Sequence, residues 1–497
     1  MTSIERFLKK EVMCRETISW WLELIVKIGI LIVGFLQASS LSFGKPIISL
    51  FLWQTVVLGG IVLLFRLINW KNYYHSANFC LLVFFSFSYL ISSAVNIKYG
   101  WYDNFRTLIW CAFLFFLVYC YKTDGQVQKN EKQFQILAVY YILMNAALSI
   151  LSFYFMMTGY SQIYYQEVGP IYYIGFHWGR LYGAYWDANI GAVMCCVGIL
   201  LSVGFFRINK SVVIRVLLVL NIALEIFYIA FSDSRTGQLC LCVGAALYVL
   251  LVVLQKKKRL VAVFCALIGL IIAFIIPVGI KKTYNVIAAM PKKVIVQDAS
   301  AEDQSEGIVK EEQKEESKES EELQKEDTSE NPKEPVQEVG RAEEYSGDIT
   351  NRRSDIWKSA IEVFLTSPVV GVSHNNVLAY VYDNVPNSYL VTNDHMDFDS
   401  MHNVFFDILV GQGVIGLAIY LAMAVLSFIT IVKNWSKILK NTSKMCVSYF
   451  VILMVMVTAS FVMTEIVYVT SPMATIFWMC MSCLIQAASQ SENKGVN

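Results

Sequence analysis

The residues best suited to chemistry are one histidine and a small set of arginines. His402-Asn403 opens the run HNVFFDILVGQGVIGLAIY, and Arg352-Arg353 opens RRSDIWKSAIEVFLTSPVVG, with Trp357 one helical turn further on. Earlier come Gly179-Arg180-Leu181-Tyr182-Gly183, then Asn189, and the turn Ser232-Asp233-Ser234-Arg235-Thr236-Gly237. An imidazole near neutral pH is a competent proton acceptor. A guanidinium keeps its charge and presents donors in a plane that matches phosphate oxygens, and a helix opening at Gly237 adds backbone donors. The set therefore suggests proton removal beside a bound phosphate group. The bland alternatives are a packed histidine and arginines that anchor to lipid headgroups. His374 and His395 compete with His402 from less anchored loop, and His177, near Arg180, is placed to help shape the site.

The elements that must hold these residues are membrane helices. The chain has 497 residues, 56% hydrophobic and 16% charged, with repeated apolar runs of about 20 residues, enough to cross the bilayer as helix. The runs do not alternate as barrel strands would. The expected fold is an all-α polytopic membrane protein with about twelve spans, near 20–43, 47–68, 78–96, 104–121, 134–157, 187–206, 212–231, 237–254, 260–280, 414–432, 445–464 and 466–486. The first run is too long for a secretory leader and lacks a small-residue cleavage site, so it reads as a retained span.

Basic residues set the orientation. Arg66, Lys71, Lys122, Lys129, Arg207, Lys210, the cluster Lys256-Lys257-Lys258-Arg259 and Lys433 to Lys444 all fall on one side. The opposite short loops hold Lys45, Lys98, Arg106, Arg180 and Arg235. By the positive-inside rule both termini are cytoplasmic, and the long loop 281–413 faces outward. The organisation is then 1–280 with spans one to nine, 281–413 as extracytoplasmic loop, 414–486 with spans ten to twelve, and 487–497 as cytoplasmic tail.

That loop has parts. Between Asp298 and Glu344 there are 18 acidic and 6 basic residues, a composition unable to bury enough surface to fold alone, so 298–350 reads as a disordered, solvated spacer. In 351–413, Trp357, Ile361, Phe364 and Leu365 recur at helical spacing, predicting an amphipathic helix from Ser354 to Leu365 that ends at Ser367-Pro368. Residues 402–412 read as a short interfacial or re-entrant helix, with Gly411, Gly413 and Gly416 allowing a kink or close packing. All but one of the 12 cysteines lie in apolar runs, which argues against disulfides or a metal site; Cys480-x-x-Cys483 is packing. Glu23 and Lys27 lie close enough to a membrane face to pair, and Glu225 is left unexplained.

With these residues in view the sequence resembles the O-antigen ligase and O-antigen (Wzy-type) polymerase family of bacterial cell-surface glycan enzymes. The likeness rests on Arg180-Leu-Tyr-Gly183 with Asn189, Ser234-Arg235-Thr236-Gly237, Arg353-x-x-x-Trp357 with Pro368-x-x-Gly371, and His402-Asn403 with Gly411-x-Gly413-x-x-Gly416. It covers the latter two-thirds of the chain. It implies a multi-pass enzyme of the bacterial cytoplasmic membrane that transfers a glycan from undecaprenyl diphosphate to an acceptor hydroxyl at the outer face. Carried over, Arg235 and Arg353 bind the diphosphate and His402 is the base; Arg180, Arg352, Asp233, Asn189, Asn403, Trp357 and His177 complete the substrate site. The implied partners are lipid-linked oligosaccharides, membrane lipids, and a chain-length regulator and flippase of the same pathway, with no nucleic acid, cofactor or metal. Polymerisation of repeat units by direct inverting displacement is the first expectation. Ligase-type transfer to another acceptor is the second, and a non-enzymatic glycan flippase or exporter is the alternative of a different class.

Overall fold

In a computed structural model, residues 3–42, 45–68, 70–73, 76–120, 127–164, 171–256, 259–289, 338–340, 352–393 and 397–490 are described, the side chains of 3–17 excepted. Most of the expected acidic spacer, and His395, lie outside them. The chain is helical almost throughout. Helices α1 (Ser3–Ala38), α2 (Pro46–Ile68), α3 (Phe79–Val95) and α4 (Tyr102–Phe113, continued as a π-helical turn Leu114–Tyr119) are followed by α5 (Val127–Thr158). After a small sheet come α6 (Ala188–Ile208), α7 (Val212–Ser232), α8 (Arg235–Leu254) and α9 (Arg259–Ala289). The outer segment contributes α10 (Arg353–Thr366), α11 (Val377–Asn384) and α12 (Tyr389–Thr392), and the chain closes with α13 (Val404–Lys433), α14 (Trp435–Asn441), α15 (Cys446–Ala459) and α16 (Pro472–Ser489).

Among the described residues nine helices are long and apolar enough to cross a membrane; α3 and α15 are shorter apolar helices. Each apolar run in the sequence lies on a helix, as it must where no water is present to bond the backbone. Helices α6 and α16 are the most enclosed, while α2 and α9 leave most of their apolar surface on the outside. This is a multi-pass membrane protein.

The connection between α5 and α6 departs from an all-helical reading. It forms a three-stranded antiparallel sheet of β1 (Gln162–Tyr164), β2 (Tyr172–His177) and β3 (Arg180–Gly183). The β2–β3 hairpin turns on Trp178 and Gly179, with φ of 48° and 69°, a two-residue turn of the kind that matches strand twist. Runs rich in tyrosine, isoleucine and phenylalanine favour strands for the same packing reason, but strands this short carry little periodicity to read.

Residues 338–340, within the expected spacer, are docked rather than solvated. Asn285 of α9 exchanges two hydrogen bonds with the Val339 backbone, at 2.8 and 2.9 Å, and Gly340 N–H donates to Gly179 O at 2.8 Å. Val339 is buried in the main core. One apolar residue meeting a prepared amide is enough to fix a short piece of an otherwise charged stretch.

Candidate active site

Segment 352–410 has a small core of its own, built from Ile356, Ala360, Val363, Val372, Val381, Leu390, Met401 and Val410. The predicted amphipathic helix is α10, and its apolar face supplies the first three. It ends at Ser367, and the Pro368-x-x-Gly371 turn that follows stitches this segment to the membrane domain. Val372 and Ser373 N–H donate to Val410 O and Gly411 O, both at 2.9 Å, and Val414 N–H donates to Pro368 O at 2.9 Å. The two carbonyls are freed because Gly413 (φ 66°, ψ −166°) breaks α13, in a region open essentially to glycine. The kink splits α13 into a short segment to Gln412 and a membrane span beyond it.

His402 does not itself begin that helix, as the sequence suggested. Asn403 is the N-cap, its side-chain oxygen accepting from Phe405 and Phe406 N–H at 2.9 and 3.3 Å while its amide donates to Phe461 O at 3.0 Å. Asn403 thereby positions the turn that carries His402. His402 stands one residue earlier at φ 48°, left-handed backbone that is uncommon for a residue with a side chain and is stored where the surroundings impose it. Those surroundings are specific. The Trp357 indole donates to Met401 O at 3.1 Å, and Met401 N–H donates to Asp407 Oδ1 at 2.8 Å. Asp407 is buried and also accepts from Ser400 Oγ at 3.0 Å and from the Thr464 hydroxyl. Trp357, expected from sequence at the substrate, holds the backbone before the histidine and stacks on Phe406 at 5.7 Å.

His402 is exposed by area yet lies deep among surrounding protein. That crowding, with the Arg353 guanidinium second, pushes the imidazole below its ordinary range, against Asp407, Asp187 and Asp399. At neutral pH it is an unprotonated base. Arg353 has the complementary environment: burial lowers its pKa, Asp187 opposes this, and Arg180 adds repulsion. Its Nε is buried without a hydrogen-bond partner. A guanidinium with a buried, unused Nε donor, held near a second cation, is prepared to receive an anion.

Arg180 reaches this group from β3. Its Nε donates to Ser232 O at 2.9 Å and its Nη2 to Asn189 Oδ1 at 3.0 Å. Asn189 also accepts from Ser234 Oγ at 2.9 Å, and Ser234 in turn caps α8 through Gly237 N–H at 3.0 Å. The Arg180 and Ser234-Arg235 motifs are thus one hydrogen-bonded unit, with Asn189 its hinge rather than a free ligand. Arg235 is the first residue of α8, exposed, and joined to the unit through Ser234. Asp233 is ion-paired with Lys281 at 2.6 Å, which accounts for it without substrate. Arg352 sits at φ 67° ahead of α10, half-exposed. His177 points to Ser161 at 3.1 Å and to Ile174 O at 2.8 Å within an aromatic group of Tyr173, Trp178 and Tyr182; these contacts engage it inside the sheet.

The structure therefore brings together Arg180, Arg353 and His402, with Arg235 at their edge. Three carboxylates that the sequence reading does not single out, Asp187, Asp399 and Asp407, also act on His402. Asp187 had a readable signal: an aspartate immediately before an apolar run is an N-cap, and its Oδ1 does accept from Asn189 and Ile190 N–H at 2.7 and 3.0 Å. Among the described residues no group of three or more His, Cys, Asp or Glu side chains is arranged to hold a metal ion.

Residues 218–421 match the family model described as O-antigen ligase. The match runs from within α7 to within α13, so it contains Arg235, Arg353 and His402, while Arg180 and Asp187 lie before it. No curated protein matches the chain.

Proposed function

We propose that this chain, whose residues 218–421 match the O-antigen ligase family model, polymerises undecaprenyl-diphosphate-linked oligosaccharide repeats at the outer face of a bacterial cytoplasmic membrane, building a capsular, exo- or O-antigen polysaccharide. The family match supports a membrane glycosyltransferase-type enzyme. The observation that carries the finer reading is Arg353, whose buried Nε lacks a partner and whose charge is felt by both Arg180 and His402.

In this reading Arg353 and Arg180 hold the diphosphate, and Arg235 approaches from the edge. Their charge neutralises the lipid diphosphate as it leaves, a stabilisation that grows in the transition state and calls for no metal. His402 removes the proton of the acceptor hydroxyl, worth roughly 10²–10⁴-fold. The hydroxyl oxygen attacks the anomeric carbon, the bond from that carbon to the phosphate oxygen breaks, and configuration inverts in one step. The loop faces outward and both termini face the cytoplasm.

The test is reconstitution with lipid-linked repeats and a gel ladder of products. Wild-type protein extends the ladder, whereas His402→Ala and Arg353→Ala leave single repeats; long polymer from either variant removes the assignment. A second reading, transfer of the finished glycan to a different acceptor, is favoured by the description of the matching family model itself. It predicts no ladder from repeats alone and a single product once that acceptor is supplied.

A further inference from the structure

At the same end of the bundle lies a cavity of about 280 Å³ that includes neither Arg353 nor His402. It is open on one side and lined by the middle of α4, the starts of α6 and α16, the end of α1, and the loops before α11 and α16. Its walls carry the aromatic faces of Trp110, Trp186 and Tyr468, with the His374 ring stacked on Tyr468 at 4.5 Å. Between them stand the polar ends of Arg106 and Glu465. His374 Nδ1 is buried with no hydrogen-bond partner.

This composition is selective. Flat apolar faces interleaved with planar donors and acceptors suit a sugar ring, which offers C–H faces and a rim of hydroxyls. The volume falls just below the roughly 300 Å³ at which drug-sized ligand cavities begin, in keeping with a single sugar ring. A diphosphate fits poorly, because Arg106 is already ion-paired with Asp103 at 3.1 Å and Glu465 is a carboxyl. Glu465 is half-buried, one side facing the cavity. Burial pushes its pKa up to about 7, against the hydrogen bond from Ser471, and Asp187 adds to the rise. Asp187 therefore lies within electrostatic reach of Glu465 on one side and of Arg353 and His402 on the other, and its neighbour Trp186 forms part of the cavity wall.

We infer that this cavity is the subsite for the acceptor's terminal sugar, gripped between Trp186 and the His374–Tyr468 stack with Glu465 bonding a ring hydroxyl, so that the attacking hydroxyl is presented past Asp187 to His402. The inference rests on the glycosyl-transfer reading and adds where the nucleophile is held. The acceptor proton passes to His402, the new glycosidic bond forms, and the lipid diphosphate departs; Glu465 orients and is not consumed.

The experiment uses full-length protein in nanodiscs. One arm measures half-saturation for a repeat on a short-chain lipid, supplied as acceptor and distinguishable by mass, and separately for the undecaprenyl-linked donor. The other measures tryptophan fluorescence on titration with the repeat oligosaccharide freed from its lipid. Glu465→Gln and, independently, Trp186→Leu raise the acceptor half-saturation and weaken oligosaccharide binding about tenfold, the loss of one good contact set, while the donor value stays within twofold. If wild-type protein polymerises yet both variants keep wild-type acceptor half-saturation and oligosaccharide binding, the cavity assignment falls and the enzymatic reading survives. Quenching by a lipid phosphate but not by the oligosaccharide likewise overturns it, as an acyl-chain site. Absence of any polymer from the wild-type protein removes the reading on which it rests.

Discussion

The Trp357 indole N–H donates to the carbonyl of Met401 at 3.1 Å, and this bond spans the outer segment from its first helix to the residue before His402. It explains a tryptophan on the half-buried face of α10 and a histidine held at positive φ. Removing the donor while keeping the aromatic plane separates the two roles. In Trp357→Phe the stack on Phe406 persists and the bond, worth about 1 kcal/mol, is lost. Turnover is expected to fall about tenfold with donor half-saturation little changed; equal losses in both would mean that the tryptophan touches substrate.

The environment of His402 sets a pH profile. Its folded pKa lies below the ordinary value near 6.5, through crowding and then Arg353. The imidazole is therefore neutral at pH 7, and activity declines as pH falls through that lowered value. The sign for stability follows from the same shift. Below about 6.5 the unfolded chain binds more protons at this residue than the folded one, so acid erodes folding here and raising pH above that range adds nothing. The acid limb of the rate profile should disappear in residual activity of His402→Ala; an unchanged limb would assign it elsewhere.

Gly413 is the residue on which the stitching of Pro368–Ser373 to α13 depends. Its backbone lies in the glycine-only region, and a Cβ there would overlap the Val369 carbonyl. Strain of this kind costs about 1–3 kcal/mol before the overlap is counted. Gly413→Ala is expected to lower the midpoint of thermal unfolding in detergent by several degrees and to reduce yield. Gly60, which meets nothing within 4 Å, serves as the comparison, and Gly60→Ala should change little.

The acidic stretch divides at Val339. Removing 300–335 is expected to leave polymer length and thermal midpoint close to wild type, whereas extending the deletion through 340 strips the Asn285 and Gly179 bonds and buries no apolar residue in their place. A lower midpoint for the longer deletion alone checks the docking; identical midpoints contradict it.

These residues also show what the sequence could convey. Membrane helices were legible because the bilayer leaves the backbone one solution per apolar run, and α10 was legible because its apolar face repeats at 3.6 residues. The Gly413 kink was visible in the glycines, but not its partner, since the bonds from Val372 and Ser373 join chain distant in sequence. The β2–β3 hairpin escaped because its turn is Trp178-Gly179 rather than a familiar asparagine or aspartate pair. Asn189, Asp233 and Trp357 each make contacts within the protein, and polarity in the sequence marks such a residue as engaged without saying by what. Glu465 fell at the seam between two predicted spans, where a lone carboxylate in an apolar context reads as an ordinary turn.

The central claim is that Arg353 grips the lipid diphosphate while His402 acts on the acceptor, and the two roles come apart in a single measurement. Binding of undecaprenyl diphosphate to purified protein should weaken at least tenfold in Arg353→Gln and stay near wild type in His402→Ala, although both lose transfer. Undiminished lipid-diphosphate binding by Arg353→Gln, or transfer at near wild-type rate by His402→Ala, would contradict the account.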